Sequence, residues 1–126
     1  TFSDRLIFFL LHFAFFLKIY KENNNKKVLQ EIYDYIFRQV ELSVREIGYG
    51  DQSINKKMKD YLNLFYGMID KIHDWDSLTT ESRTTLLEIF LDNAINIEYL
   101  VHYFEKYRLN LINNTLNSHI NGVTKQ

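Results

Sequence analysis

Residues 45–60 read REIGYGDQSINKKMKD and lie between two long segments with the apolar spacing of amphipathic helices, about 3.6 residues. They hold two of the four glycines of the chain and three closely spaced lysines. Such a run is either a phosphate-binding loop or a joint between helices. A dinucleotide fingerprint needs a third glycine between a strand and a helix, but Ser53 stands there and a helix precedes it. The pattern therefore favours the joint.

The composition is that of an ordinary globular domain. The chain has 126 residues, 46% hydrophobic and 25% charged, which is enough for one buried core. A formal net charge of −1 argues against nucleic-acid recognition, which needs a strong basic excess. The lack of cysteine excludes disulfides, thiol catalysis and cysteine zinc sites. Because the chain begins at Thr1, we expect an N-terminal piece to precede it.

Helical periodicity covers nearly the whole chain and predicts an all-α, single-domain bundle of about five helices. We expect residues 1–117 to form this domain and residues 118–126 to form a polar, frayed tail. The expected helices run from an N-cap at Ser3 to Glu22, from Lys26 to Ile47, from a cap at Asp51 or Ser53 to His73, from Ser82 to Ala94, and onward from the Asn93–Asn96 break.

The apolar side chains of the second and third helices indicate where the core lies. Those of the second fill more than half its circumference, so we expect several helices to surround it. Those of the third form one inward stripe. The two sets are Val28, Ile32, Tyr35, Ile36, Val40, Val44 and Ile47, and then Ile54, Met58, Tyr61, Leu62, Phe65, Met68, Ile69 and Ile72.

The segment Leu6–Leu17, LIFFLLHFAFFL, needs a membrane check. As a helix its twelve residues cover about 18 Å, against roughly 30 Å of hydrocarbon in a bilayer. It is therefore too short to span. Two interpretations remain: a helix buried on nearly all sides, or one partly buried against a membrane or an apolar client protein.

The sequence offers no catalytic or metal site, and we expect no cofactor. His12, His73, His102 and His119 lie on different segments without the spacing of metal ligands. His12, among phenylalanines, suits a hydrogen-bonded core histidine. The acidic residues Asp70, Asp74 and Asp76 suit a solvated patch at a helix end.

One glycine of the third helix falls on the side opposite the core. Gly67 is in line with Lys56, Asp60 and Asn63, and an exposed glycine within a helix costs about 1 kcal/mol relative to alanine. Either drift placed it there, or another backbone approaches the helix at this point. We expect a docking face for a protein partner, formed by Arg45, Lys56, Lys59, Asn63, Tyr66 and Gly67.

Residues 44–68, VREIGYGDQSINKKMKDYLNLFYGM, resemble the signature of the ubiquinol–cytochrome c chaperone family. That signature reads approximately L-R-E-M-G-V-G-D, K-R-M-K-K and F-Y-G-R. The residues that match it are Arg45, Glu46, Gly48, Gly50, Asp51, Lys56, Met58, Lys59, Phe65, Tyr66 and Gly67. Leu11, His12 and Phe13 are similar to the opening helix of the family, and Leu100 and Tyr103 to its last helices. The likeness covers residues 3–112; Met68 departs from it, because the family has arginine there.

The resemblance implies an assembly chaperone for ubiquinol–cytochrome c reductase, respiratory complex III, with no enzymatic activity. Its expected partner is newly made cytochrome b or another subunit of the complex, together with the ribosome or a second assembly factor. The lack of extensions resembles the bacterial branch, which implies the cytoplasm with peripheral contact at the inner membrane, or the matrix side in a eukaryote.

Under this resemblance the joint has a mechanical role, and we name Glu46, Gly48, Gly50 and Asp51 the hinge. Both glycines are expected to supply the backbone angles of a tight reversal. Asp51 is expected to cap the third helix. Glu46 is expected to accept hydrogen bonds from the first N–H groups of that helix, or to pair with a cation, since a bare buried carboxylate is costly.

A second class of function stays open. The lysines also suit a helical adaptor that binds another soluble protein or the anionic inner-membrane surface, without cytochrome b. A small enzyme is a more distant third.

Overall fold

The computed structural model describes residues 2–21, 26–91 and 96–124, with side chains as far as residue 114. These residues form five α-helices and contain no strand, so the predicted all-α bundle is confirmed. The helices are α1 (Phe2–Tyr20), α2 (Lys26–Glu46), α3 (Asp51–Ile72), α4 (Thr80–Phe90) and α5 (Ile97–Thr124), with a 3₁₀ turn (Trp75–Ser77) between α3 and α4. The division into a domain and a polar tail stays a prediction.

Helix α1 lies at the centre, with α3 and α5 as its principal neighbours. Phe13 stacks on Phe65 of α3, and Phe15 stacks on Phe104 of α5, each pair with ring centroids 5.2 Å apart. At about 100° per residue, side chains two positions apart point to nearly opposite sides of a helix. One helix therefore supplies two halves of the core, which explains its nearly unbroken apolar sequence.

In the apolar segment Leu6–Leu17 half of the residues are buried and all the others except Phe9 are half-buried, which is closer to the first of its two interpretations. Leu10, Leu11 and Phe15 have no exposed surface, whereas Phe9 is about half exposed at 48%. Across the described parts of the chain, no helix has both the length and the hydropathy needed to cross a membrane.

Helix α2 lies at one edge of the bundle and packs mainly on α3. It buries Phe37, Val40 and Val44, and Phe37 was not among the residues expected inside. The expectation that several helices surround α2 is wrong, because Val28, Tyr35 and Ile47 are exposed. A helix with one principal neighbour covers only the side that faces it. By contrast, the inward stripe of α3 is confirmed: Ile54, Tyr61, Phe65, Met68 and Ile72 are buried, and its other members are half-buried.

Two predicted helix boundaries are wrong. Ser3 lies inside α1, where its Oγ is 3.3 Å from the Tyr61 hydroxyl, so it is not an N-cap. Helix α4 begins after Thr79, whose Oγ1 accepts a hydrogen bond from the backbone N–H of Ser82 at 3.1 Å. It ends at Phe90. The expected helix ends Glu22 and Ala94, and the start of the expected break at Asn93, lie outside the described residues.

Trp75 closes the side of the bundle formed by α1, α4 and α5. The indole is fully buried against Phe15, and its Nε1–H donates to Glu105 Oε2 at 2.7 Å. The Arg83 guanidinium lies 4.9 Å from the indole centre and donates from Nε to the Trp75 carbonyl. Sequence reasoning treated this segment as a plain connection. The signal was available, since Trp75 is the only tryptophan and an indole carries a large apolar area.

The acidic residues near this turn are only partly a solvated patch. Asp70 and Asp74 are exposed as expected. Asp76 pairs with Lys18 of α1 at 3.5 Å and with Arg108 of α5 at 3.1 Å. The Asp76 carboxylate therefore joins two helices that flank the turn.

Candidate functional site

The hinge ends α2 through a left-handed glycine. Gly48 has φ +100° and is the described residue at which a left-handed angle occurs. The Gly48 N–H donates to the Arg45 carbonyl at 3.0 Å, and the Ile47 N–H donates to the Val44 carbonyl at 3.3 Å. Residues with a Cβ avoid this conformation, so the glycine is required here. The role expected of Gly48 is confirmed.

The roles expected of Gly50 and Asp51 are wrong. Gly50 has φ −71° and ψ 162°, extended angles that any residue adopts, and it is the N-cap of α3 without a side-chain bond. Asp51 is the first residue of α3 rather than its cap. Its carboxylate still lies in the first turn, where the helix dipole favours a negative charge. The reversal thus needs one special backbone angle at Gly48.

The role expected of Glu46 is also wrong, because its side chain is exposed and makes no hydrogen bond or ion pair with the described residues. On a helical wheel it shares the side of Val28 and Leu42, and that side of α2 is itself exposed. A carboxylate in this position keeps its hydration without a protein partner.

Arg45 makes the connection that was expected of Glu46. Its Nη1 donates to Asp51 at 3.1 Å and its Nη2 to Glu41 at 3.2 Å, so the guanidinium joins the end of α2 to the start of α3. Hydrogen bonds to Glu41, and then to Asp51, raise the pKa of Arg45. All three side chains are well exposed, so water and salt screen these pairs and they contribute little to stability.

The structure places most of the expected docking face on one side of α3. Lys56, Lys59 and Asn63 are exposed, and Tyr66 is 54% exposed. Neither lysine has an ion pair within the described residues, so both charges are available to a partner. Arg45, the remaining charged member, lies at the N-terminal end of this face, where it is already engaged by Asp51.

Gly67 leaves a shallow, uncrowded position in this face. A Cβ built on it meets no atom within 4 Å outside its own helix backbone, and the residue is half-buried. No backbone of the described chain therefore explains the glycine. Two explanations for a glycine at this position therefore stay open, namely drift and a close approach by another molecule.

The Tyr66 side chain ties the docking face to α2. Its hydroxyl lies 2.9 Å from that of Tyr33, and the pKa of Tyr33 is raised by burial and then by this hydrogen bond. One edge of the face thus has an aromatic side chain hydrogen-bonded to α2, whereas Lys56 and Lys59 have no such partner among the described residues.

The histidines are dispersed. His12 is half-buried, with Nδ1 2.8 Å from the Phe8 carbonyl and Nε2 2.6 Å from the Tyr103 hydroxyl. Since a carbonyl only accepts, Nδ1 carries the hydrogen and Nε2 accepts from Tyr103. The predicted hydrogen-bonded core histidine is confirmed. In the part of the chain that the structure describes, no group of three acidic, histidine or cysteine residues is placed to hold a metal ion.

A charged cluster joins α4 and α5 beside Trp75. Glu105 accepts from Arg108 at 2.6 Å and pairs with Arg83 at 3.3 Å. The hydrogen bond from Arg108 is the main reason that the pKa of Glu105 is lowered, and burial opposes it. Every charge in this cluster is balanced by a protein partner, which indicates a structural rather than a reactive role.

Comparison with known proteins covers most of the chain. A family model described as ubiquinol–cytochrome C chaperone matches residues 1–96, a range that contains the hinge and the whole docking face. No curated protein matched the chain, and neither did any solved structure. The matched range is well over half of the 126 residues. The chain therefore belongs to the ubiquinol–cytochrome c chaperone family.

Proposed function

We propose that this protein binds newly made cytochrome b through its docking face while respiratory complex III is assembled. Family membership supports a chaperone role in the assembly of this complex, and the match across residues 1–96 is the observation that carries the proposal. The choice of cytochrome b as the client and of the docking face as its binding surface goes beyond family membership. Binding is the whole proposed activity, without a cofactor or a catalytic step.

The docking face suits a reversible protein contact. It combines unpaired lysines with an amide and an exposed tyrosine, the mixture of polar and aromatic groups found in interfaces. At Gly67 nothing projects from α3, so a partner backbone can come closer than elsewhere along the helix. A close approach would offset the cost of about 1 kcal/mol that a glycine within a helix carries relative to alanine.

We further propose that binding takes place at the cytoplasmic surface of a bacterial inner membrane, or on the matrix side in a eukaryote. Cytochrome b or another subunit of complex III would be held there beside the ribosome or a second assembly factor. We propose these locations and partners because the chain belongs to a family of complex III assembly chaperones.

The alternative, an adaptor at an anionic membrane surface, has its own support. Lys57 Nζ lies 5.5 Å from the ring centre of Tyr49, and Tyr49 and Ile47 are both exposed. Lysines beside exposed apolar residues suit a negatively charged lipid surface, at about 1 kcal/mol for each basic residue.

Co-purification from a respiring host tests the proposal. Tagged wild-type protein should recover cytochrome b, quantified by mass spectrometry, and the double variant Lys56→Glu/Lys59→Glu should recover several-fold less. Lys71→Glu/Lys106→Glu makes the same change of net charge at exposed positions outside the docking face and should behave as wild type. Gly67→Leu should also reduce recovery, because its side chain blocks a close approach.

Equal recovery by wild type and by both docking-face variants would refute the docking face as the client surface. If no sample contains cytochrome b and the protein binds anionic vesicles in a salt-sensitive way, the adaptor alternative is the correct one.

A further inference from the structure

Helix α2 has an outer face that stays exposed in the bundle. Val28, Tyr35 and Leu42 follow one another along it at steps of seven and are 48%, 64% and 48% exposed. At about 100° per residue, these steps keep the three side chains within roughly 20° of one line along the helix. This apolar row is one residue wide, because charged residues stand beside it: Glu31, Asp34 and Arg38. We call these six residues the α2 outer face.

The charged residues of this face all lie on the same flank of the apolar row. Measured from Tyr35, Glu31 is turned by about 40°, Arg38 by about 60° and Asp34 by about 100°, all in one direction. All three are exposed. Asp34 accepts a hydrogen bond from Gln30 Nε2 at 2.9 Å. Glu31 and Arg38 make no ion pair or hydrogen bond with the described residues, so each charge is available to another molecule.

The order of these residues is self-complementary when two copies of α2 run in opposite directions. With Tyr35 at the centre of the pair, residues equally far from it on its two sides meet, so Val28 of one copy lies opposite Leu42 of the other. A two-fold axis across the helices keeps the charged flanks of both copies on one side. Arg38, three residues after Tyr35, then lies level with Glu31, four residues before it. This contact between opposite charges occurs twice in the pair.

We infer that two copies of this chain pair through the α2 outer face in antiparallel orientation, with Tyr35 of each copy beside the two-fold axis. Asp34 adds a second carboxylate close to Arg38 of the other copy, because it lies on the same flank one residue from the centre. A parallel pair would set Glu31 against Glu31 and Arg38 against Arg38, so the charges select the antiparallel orientation. One pair of helices is a small interface, and we expect a dissociation constant in the micromolar range. None of the six residues belongs to the docking face, so this pairing goes beyond the proposed function.

Two other occupants of the α2 outer face fit less well. An anionic bilayer is disfavoured, because Glu31, Asp34 and Glu46 on this side of the helix outnumber Arg38. A helix of another protein would need its charges in the reverse order of those on α2, whereas a second copy supplies that order by symmetry. Glu46 lies eleven residues from Tyr35 and faces position 24 of the other copy, which is outside the described residues.

Charge reversal tests the pairing in solution. Sedimentation velocity of the full chain at about 1–100 µM measures association. Arg38→Glu and Glu31→Arg should each weaken association about tenfold or more, because like charges then meet at two places in the pair. An equimolar mixture of the two variants should associate to within a few-fold of wild type, since each arginine of one variant again meets a glutamate of the other. Mixing would not repair a loss of structure. Lys106→Glu, at an exposed position on α5, is the matched control and should behave as wild type.

Cysteine crosslinking tests the orientation. The chain has no cysteine, so each variant carries a single thiol. With an added oxidant Tyr35→Cys should form a disulfide-linked dimer, whereas Tyr99→Cys, equally exposed at 63% on α5, should not. Val28→Cys and Leu42→Cys should crosslink to each other when they are mixed, but neither should crosslink alone. Two copies of either residue lie about 21 Å apart along an antiparallel pair, fourteen residues at 1.5 Å each.

The inference is overturned if wild type is monomeric throughout this concentration range, if neither charge variant weakens association, or if their mixture stays as weak as each variant alone. It is also overturned if Val28→Cys crosslinks to itself as readily as to Leu42→Cys. A monomer that loses vesicle binding or cytochrome b through Arg38→Glu would assign the face to another occupant and would equally overturn it. Recovery of cytochrome b that depends on Lys56 and Lys59 does not require association, so the proposed function is tested separately.

Discussion

Replacing two glycines by alanine should change stability in opposite directions. At Gly48 the φ of +100° disfavours any residue with a Cβ, and a left-handed conformation costs roughly 1–2 kcal/mol. Alanine also lowers the conformational entropy of the unfolded chain, which stabilises the folded state by about 0.4–1 kcal/mol. We expect a net loss of about 1 kcal/mol for Gly48→Ala. No atom within 4 Å of the built Cβ adds to this figure, so the whole effect is conformational.

At Gly67 the same substitution should stabilise the protein. The residue lies within α3, and its built Cβ also meets nothing within 4 Å. Alanine is favoured over glycine in a helix interior by about 1 kcal/mol. For a domain of this length, 1 kcal/mol shifts the melting temperature by about 3–5 °C. The two variants should therefore differ by about 6–10 °C, with wild type between them.

Thermal unfolding followed by circular dichroism, with urea titration for the free energy, measures the effect. Gly50→Ala is the control, because φ −71° is accessible to alanine and its Cβ site is open. It should lie within about 0.5 kcal/mol of wild type, since alanine is a poor N-cap but a less flexible residue. The account of the hinge fails if Gly48→Ala is as stable as wild type, or if Gly50→Ala is the more damaging change.

Three further substitutions test the packing and the charges. His12→Leu should lose about 1–2 kcal/mol in urea unfolding, because the Tyr103 hydroxyl loses its acceptor inside the aromatic cluster; an unchanged midpoint contradicts the hydrogen bond. Glu105→Gln should lose about 1–2 kcal/mol at pH 7, since the charged acceptor of Trp75 is removed. The pKa of Glu105 is lowered in the folded state, so this difference is fully present above the ordinary glutamate pKa and disappears as pH falls through the lowered one; a difference that grows toward low pH would reverse the assigned sign. Glu46→Ala should stay within about 0.5 kcal/mol of wild type, and a larger loss would show a partner for this exposed carboxylate.

Most of the helical architecture could be read before any coordinates. The buried stripe of α3, the hydrogen-bonded His12 and the end of α2 at Gly48 all follow from spacing and from one backbone angle. The docking face could be placed on one side of α3 for the same reason. Its role in binding stays a prediction.

Other roles needed the neighbouring helices. Val28 and Tyr35 have the periodicity of core residues, but α2 lies at the edge of the bundle and leaves them exposed. Glu46 was expected to have a partner because it shares that side. The large indole of Trp75 signals burial, but its local sequence does not show that α1, α4 and α5 are the helices that converge on it.

The sequence alone determined five helices, the reversal at Gly48 and the residues available for the core, because these depend on chain stiffness and on the periodicity of nearby residues. The tertiary structure alone decided which apolar residues are covered, which charge joins α2 to α3, and which face of α2 stays open. Such outcomes depend on the positions of helices distant in sequence, and a side chain is buried only where another element packs against it.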